Sequence, residues 1–254
     1  MGLLERFRSA GHVPAGGNES KADTSEQDAL RLVDEGNAIE DEGRIEEALQ
    51  RYEEAIRLAP NLARAHLNRG NILSTMGETE RALEAYATAL VNDPDYAAAH
   101  FNMGNAYART GRHEEAVAAY RKALALKPDF ADAALALGCG LQELGQLDDA
   151  MACYRRALEM RPDCVEAHCK LGNALKDLGQ FADAAASYRR TLKIKPEYVE
   201  AHNNLGNALL ELGDSSPPPH RIGRGLSRHC RGCNGLQRSG DRSRALGGSS
   251  PLHR

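Results

Sequence analysis

The chain has 254 residues and a formal net charge of −4, from 32 basic and 36 acidic side chains. Forty residues are Ala, only 5% are aromatic and none is Trp. This composition argues against a β-sandwich, which favours β-branched and aromatic residues, and suits closely packed helices. No apolar run approaches the roughly 18 residues of a transmembrane helix, and the small net charge gives no overall signal for nucleic-acid binding.

Residues 1–25 are predicted to form a short amphipathic start (MGLLERFR) followed by a flexible linker. Arg6 lies where the N-myristoylation pattern requires Ser or Thr, so that modification is not expected. A transient contact of this start with a membrane or a partner stays open. Thr24 or Ser25 is predicted to cap the first helix, with Gln27 or Asp28 as the reciprocal partner.

Five series of identical residues recur every 34 positions along the chain. The series run from Gly36 to Gly206, Gly43 to Gly213, Ala48 to Ala184, Tyr52 to Tyr188 and Pro60 to Pro196. Self-similarity at such a period is the mark of stacked structural repeats.

Each unit is predicted to be a helix–turn–helix, as residues 97–130 illustrate. Residues 97–110 contain many helix formers, and Gly111 is typical of the left-handed residue just past a helix end. A second helix is predicted from about Arg112 to Leu126, before Pro128 blocks its continuation. Such short helix pairs bury a core only by stacking in register, which predicts a solenoid.

The units resemble tetratricopeptide repeats, with Gly at position 8, Ala at 20, Tyr at 24 and Pro at 32 when position 1 is Ala29. Five repeats fill 29–198, and a sixth begins at Val199 and stops after Gly213. The resemblance implies an all-α fold over 26–213, a right-handed superhelical solenoid of antiparallel helix pairs. His replaces the aromatic residue of position 4 in four repeats and is interpreted as a packing residue rather than a ligand or pH switch. These residues are His66, His100, His168 and His202.

The resemblance also implies that the first helices line a concave groove, with positions 2, 5, 6, 9, 12 and 13 facing it. The candidate binding residues are Asn37, Asn71, Asn105, Asn173 and Asn207 at position 9, Asn68, Asn102 and Asn204 at position 6, and Leu67 and Phe101 at position 5. A side-chain amide both donates and accepts, so such a ladder could bond the backbone of an extended peptide. The alternative is that these Asn side chains bond neighbouring repeats.

Position 5 excludes one binding mode of similar proteins, the carboxylate clamp for chaperone C-termini, because that clamp requires Lys there. The residues at this position are Val33, Leu67, Phe101, Leu135, Cys169 and Asn203. The apolar members predict a ligand with some apolar side chains. The Asn at position 6 also resembles the repeats of O-linked N-acetylglucosamine transferases, which hold an acceptor polypeptide beside a catalytic domain.

No catalytic or phosphate-binding motif is present, so the sequence predicts neither an enzyme nor a cofactor nor a small-molecule substrate. Cys230 and Cys233 form a lone Cys-x-x-Cys near His220 and His229, for which coincidence is favoured over a zinc site. The six Cys without a secretory signal predict a reducing, cytoplasmic location without disulfides.

Residues 214–254 differ from the repeats, with eight Arg, two Asp and a formal charge of +6. Three Pro from Pro217 to Pro219 lie where the second helix of the sixth repeat should form, so this tail is predicted to be disordered. Its composition suits a shifted reading frame of an Ala-rich gene; a genuine basic tail contacting RNA or an anionic surface is the alternative. Leu205, Leu209 and Leu212 are then expected to lose a packing partner.

The sequence therefore predicts a protein-interaction scaffold that binds an extended peptide or partner protein in a concave groove. Two alternatives remain: a substrate-presenting fragment of a glycosyltransferase, and a metal-binding or nucleic-acid-binding module formed by the tail.

Overall fold

The computed structural model describes residues 21–213, and their side chains from Thr24 onward. These residues form eleven α-helices and no strand. The helices are α1 (Lys21–Asp41), α2 (Ile45–Leu58), α3 (Ala63–Thr75), α4 (Thr79–Asn92), α5 (Ala97–Arg109), α6 (His113–Leu126), α7 (Ala131–Glu143), α8 (Leu147–Met160), α9 (Val165–Asp177), α10 (Phe181–Ile194) and α11 (Val199–Glu211).

Each first helix ends at a Gly in the left-handed region, with φ between 68° and 84°. At the end of α5 the amide of Gly111 donates to the Ala108 carbonyl and that of Arg112 to the Tyr107 carbonyl. This Schellman pair satisfies the last carbonyls and turns the chain into α6. The helix α6 ends at Leu126, two residues before Pro128, so the predicted helix–turn–helix is confirmed.

The first helix begins earlier than its predicted cap. Because α1 starts at Lys21, Thr24 and Ser25 lie inside the helix and neither caps it. No Pro or Gly in this stretch stops the helix from extending a further turn. The hydroxyl of Ser25 instead donates to the Leu58 carbonyl at 2.8 Å, which ties α1 to the end of α2.

The two helices of a repeat are held by a Gly against a Tyr. A Cβ built on Gly104 would lie 2.5 Å from Cε1 of Tyr120, and the other four repeats give 2.5 or 2.6 Å. The five Tyr residues of these pairs are at most 1% exposed to solvent. The Gly is therefore required by space, because only a residue without a side chain lets the ring reach the facing helix.

The stacking of repeats curves the array. Successive first helices contact one another, whereas no second helix of the described chain contacts the next second helix. The first helices therefore line the inner, concave side and the second helices splay apart on the outer side. This confirms the all-α superhelical solenoid.

The C-terminal edge is less exposed than expected. Leu205 and Leu209 are 6% and 9% exposed within the core, so the expectation that they lose their packing is wrong. Leu212 is 46% exposed, as expected, and Leu210 is exposed as well. The described helices include none long and apolar enough to cross a membrane. The tail with Cys230 and Cys233, and residues 1–20, lie outside the described residues.

Replacing Gly104 by Ala tests the Gly–Tyr packing. The new Cβ would overlap the Tyr120 ring, so we expect the free energy of unfolding to fall by about 1–3 kcal/mol. Urea unfolding followed by circular dichroism measures this change. Gly111→Ala is the control, because its Cβ meets no neighbour and only the left-handed backbone opposes it. An unchanged stability in Gly104→Ala would contradict the packing requirement.

Candidate functional site

The concave side carries a hydrogen-bonded ladder of Asn side chains. In the first repeat Oδ1 of Asn37 accepts from the Tyr52 hydroxyl at 2.9 Å and from Nδ2 of Asn68, in the next repeat, at 2.7 Å. The same arrangement joins Asn71 to Tyr86 and Asn102, and Asn173 to Tyr188 and Asn204, at 2.7–3.1 Å. These Asn therefore bond neighbouring repeats, as the alternative interpretation of the sequence held.

The ladder leaves some donors and acceptors of its Asn side chains without a partner in the described chain. Within the described chain, Nδ2 of Asn37 and Asn71 and Oδ1 of Asn68 and Asn102 bond no protein group. These side chains are half-buried. Asn173 differs, because its Nδ2 donates to the Glu200 carboxylate at 3.1 Å. Donors and acceptors thus alternate along the groove, positioned by bonds to the scaffold.

The fourth repeat interrupts the ladder. Position 6 is Ala136 and position 9 is Cys139, so the Tyr154 hydroxyl donates to Oε1 of Gln142 instead, at 2.8 Å. Upstream, Asn105 keeps its bond from the Tyr120 hydroxyl at 2.8 Å. The groove therefore has polar steps at both ends and an apolar step in the middle, where Cys139 is half-buried and Ala136 is only 5% exposed.

Two of the predicted groove residues are not accessible. Leu67 and Phe101 are each 5% exposed. The Phe101 ring packs 4.8 Å from Phe130 and 5.9 Å from Tyr120, centroid to centroid. Position 5 therefore points into the layer between helices, which corrects the expectation that these side chains offer an apolar surface to a ligand. Asn207, by contrast, is exposed on α11.

Position 2 carries a carboxylate in each of the last three repeats, which was not among the residues expected from the sequence. We call Asp132, Glu166 and Glu200 the acidic column. Glu166 is flanked by Asp132 and Glu200, and burial, followed by these two carboxylates, raises the pKa of Glu166 despite the opposing effect of Lys170. Asp132 is 5% exposed and pairs with Arg161 at 2.9 Å. The acidic column could have been predicted from the sequence, because carboxylates recur at the same repeat position.

The His of position 4 have a structural role. Their Nε2 atoms lie 2.7–3.0 Å from a Pro carbonyl in the preceding repeat and so donate to it. The pairs are His66 with Pro60, His100 with Pro94, His168 with Pro162 and His202 with Pro196. The described residues contain no group of three or more His, Cys, Asp or Glu that could hold a metal ion.

The ladder depends on protonated Tyr hydroxyls. Burial raises the pKa of Tyr52, Tyr86 and Tyr188, and the Glu40 carboxylate adds to the effect at Tyr52. These groups therefore stay neutral donors to their Asn partners through the whole physiological range.

The fold and groove define a helical-repeat solenoid that presents a concave surface. A family profile described as "Tetratricopeptide repeat" matches residues 70–130, and one described as "TPR repeat" matches 36–77, 141–179 and 172–213. Together they cover more than half of the chain. This protein belongs to the tetratricopeptide repeat family. No curated protein matches the chain.

Solved structures with the same fold support the assignment. YrrB, described as a TPR protein with an unusual peptide-binding site, is 28% identical over 65% of this chain and 84% of its own, with a TM-score of 0.59. MamA is 23% identical, over 66% and 92%, with a TM-score of 0.60. PilW, a type IV pilus biogenesis factor, is 23% identical, over 74% and 88%, with a TM-score of 0.67. The last two show the fold alone.

Alkaline pH tests the buried Tyr donors. Because the folded pKa of Tyr86 is raised, its stabilising effect is complete below about pH 10 and is lost as the pH rises and the unfolded Tyr ionises. Above about pH 10, this Tyr should make the unfolding free energy fall with pH by up to about 1.4 kcal/mol per pH unit. We expect this contribution to the slope to be absent in Tyr86→Phe.

Urea unfolding on either side of about pH 10 measures this slope. Thr88→Ala, on the same helix, is the control and should keep the slope of the unsubstituted protein. Equal slopes in all three proteins would contradict the buried-donor interpretation.

Proposed function

We propose that this protein is a non-catalytic interaction scaffold that binds an extended polypeptide segment in its concave groove through the Asn of positions 6 and 9. The observation that carries the proposal is the unused donor and acceptor set of Asn37, Asn68, Asn71 and Asn102. A polypeptide backbone offers both an N–H donor and a C=O acceptor at each residue, so it complements such a ladder whatever its side chains.

The spacing of the ladder suits an extended chain. Packed helices lie about 8–10 Å apart, and an extended chain advances about 3.3 Å per residue. About three residues of a bound segment would therefore span one repeat. The Asn side chains are already oriented by Tyr hydroxyls and by one another, which lowers the entropy lost on binding.

The apolar step at the fourth repeat and the acidic column shape the preference of the groove. A segment with a small apolar residue near the half-buried Cys139, and with no acidic residue near the half-buried Glu166, would fit best. This differs from the acidic C-termini that a carboxylate clamp takes.

Similarity to YrrB supports a peptide as the ligand, since that structure is described as having a peptide-binding site. The family matches lie within the repeats and do not favour the glycosyltransferase alternative. We propose a cytoplasmic location from the cysteine content alone, which fractionation of the source cells would test.

Peptide binding after substitution of two position-6 Asn tests the proposed function. Peptides are selected from a random display library against the full chain, and their affinities are measured by calorimetry. We expect Asn68→Ala/Asn102→Ala to weaken binding by roughly tenfold or more, because each amide contributes about one hydrogen bond to the peptide backbone.

The matched control is Thr88→Ala/Asn92→Ala on the outer helix α4, where both side chains bond only their own helix. This variant should bind the selected peptides as the unsubstituted protein does. Equal affinity of the groove variant, with its fold intact by circular dichroism, would reject the Asn groove as the binding site.

A further inference from the structure

A cleft of about 470 Å³ opens on the outer side of the solenoid between the fourth and fifth repeats. We call it the outer cleft. It is lined by α8, α9 and α10, and its apolar wall is formed by Leu158, Pro162, Leu171 and Leu175. None of its residues occupies a groove position, so it is separate from the Asn ladder. Its size lies in the range of pockets that hold small ligands.

Two arginines flank this cleft, Arg155 from α8 and Arg190 from α10. Both are exposed, and no ion pair joins either of them to a carboxylate of the described residues. Asp183 also lines the cleft and pairs with neither. A guanidinium presents five donors in a fixed geometry that matches a carboxylate, so the two side chains offer unused anion-binding capacity.

The sequence explains why Arg190 has no partner among the described residues. One repeat earlier, the equivalent Arg156 donates to the Pro128 carbonyl at 2.7 Å. Position 4 of that repeat is Ala134, which leaves the carbonyl available. In the fifth repeat His168 donates to the Pro162 carbonyl at 3.0 Å, so the position is already taken. Because position 4 is His in the fifth repeat and Ala in the fourth, Arg190 does not bond the Pro carbonyl and stays on the outer surface.

The basic surface continues beyond the cleft. Positions 25 and 26 of repeats three to five are all Arg or Lys, all exposed, and none forms an ion pair within residues 24–213. They are Arg121, Lys122, Arg155, Arg156, Arg189 and Arg190. The same positions hold Glu53 and Glu54 in the first repeat and Ala87 and Thr88 in the second, so the basic stripe is confined to one part of the outer face.

We propose that the outer cleft and this stripe bind an acidic segment of a partner protein, with one apolar side chain inserted in the cleft and carboxylates on Arg155 and Arg190. Charge complementarity selects an anionic partner, and the apolar recess selects one with a protruding apolar group. A nucleic acid is less suited, because no Phe, Tyr or Trp lines the cleft on which a base could stack, and the imidazole-bearing His168 is only 6% exposed. A membrane would need protruding rather than recessed apolar residues.

Fluorescence anisotropy with the full chain tests the proposal. The probe is a short labelled peptide with one Phe within a run of Asp and Glu; the comparison peptide has Ser in place of Phe. We expect the Phe peptide to bind, and Arg155→Gln/Arg190→Gln to weaken it by about tenfold or more, since charge-assisted bonds are lost. Both arginines are exposed and form no ion pair within the described part of the chain, so this variant should fold normally.

The control Ala87→Glu/Thr88→Glu lowers the net charge by the same amount at equivalent outer positions of the second repeat, and should leave binding nearly unchanged. Ala186→Phe, which fills the cleft mouth without changing charge, should weaken the Phe peptide, whereas Ala118→Phe at the same position of the third repeat should not.

Three outcomes would overturn the proposal. The two charge variants could weaken binding equally, or the Phe and Ser peptides could bind equally well. The protein could also prefer single-stranded DNA or anionic vesicles to the peptide, with that binding lost in Arg155→Gln/Arg190→Gln. Because no groove residue is changed, these results are independent of the peptide groove.

Discussion

The contact between a Gly on each first helix and a Tyr on the following helix is the constraint on which the solenoid depends. The Tyr ring occupies the volume where a Cβ would lie, as the 2.5 Å separation at Gly104 and Tyr120 shows. This contact sets the distance between paired helices. Because the Gly and Tyr recur every 34 residues, each repeat has the same helix packing. Small Ala side chains complete the same interface, so the aromatic-poor composition reflects many copies of one close contact and not a weak core.

The same Tyr links packing to the concave surface. Its ring fills the helix interface while its hydroxyl reaches the Asn of position 9 at the groove. That Asn in turn accepts from the next repeat. Packing within a repeat, registration between repeats and presentation of amide groups are therefore one connected network. Where the fourth repeat replaces both Asn, Gln142 restores the Tyr partner but the ladder is interrupted, which divides the groove into polar and apolar steps.

The two faces of the solenoid differ in chemistry because they are built from different helices. The first helices contact one another and bring their polar side chains together, with a column of carboxylates in the later repeats. The second helices diverge, so their basic residues stand apart on the outer face and leave a cleft between α8 and α10. Position 4 is Ala134 in the fourth repeat and His168 in the fifth. In the fourth repeat Arg156 therefore bonds the Pro carbonyl, whereas in the fifth His168 does so and Arg190 faces solvent.

The sequence by itself determined the architecture, because the period of 34, the Gly that end first helices and the Pro that follow second helices act through local backbone geometry. It also indicated the Asn as the notable groove residues. Only the tertiary structure decided what each atom does. It buried Leu67 and Phe101, whose position in the repeat indicates a face but not how deeply neighbouring repeats enclose it. It paired Oδ1 of Asn37 with Tyr52 and Asn68, and left Arg190 without a partner among residues 24–213. These outcomes depend on contacts between residues about one repeat apart in sequence, which a local pattern does not specify.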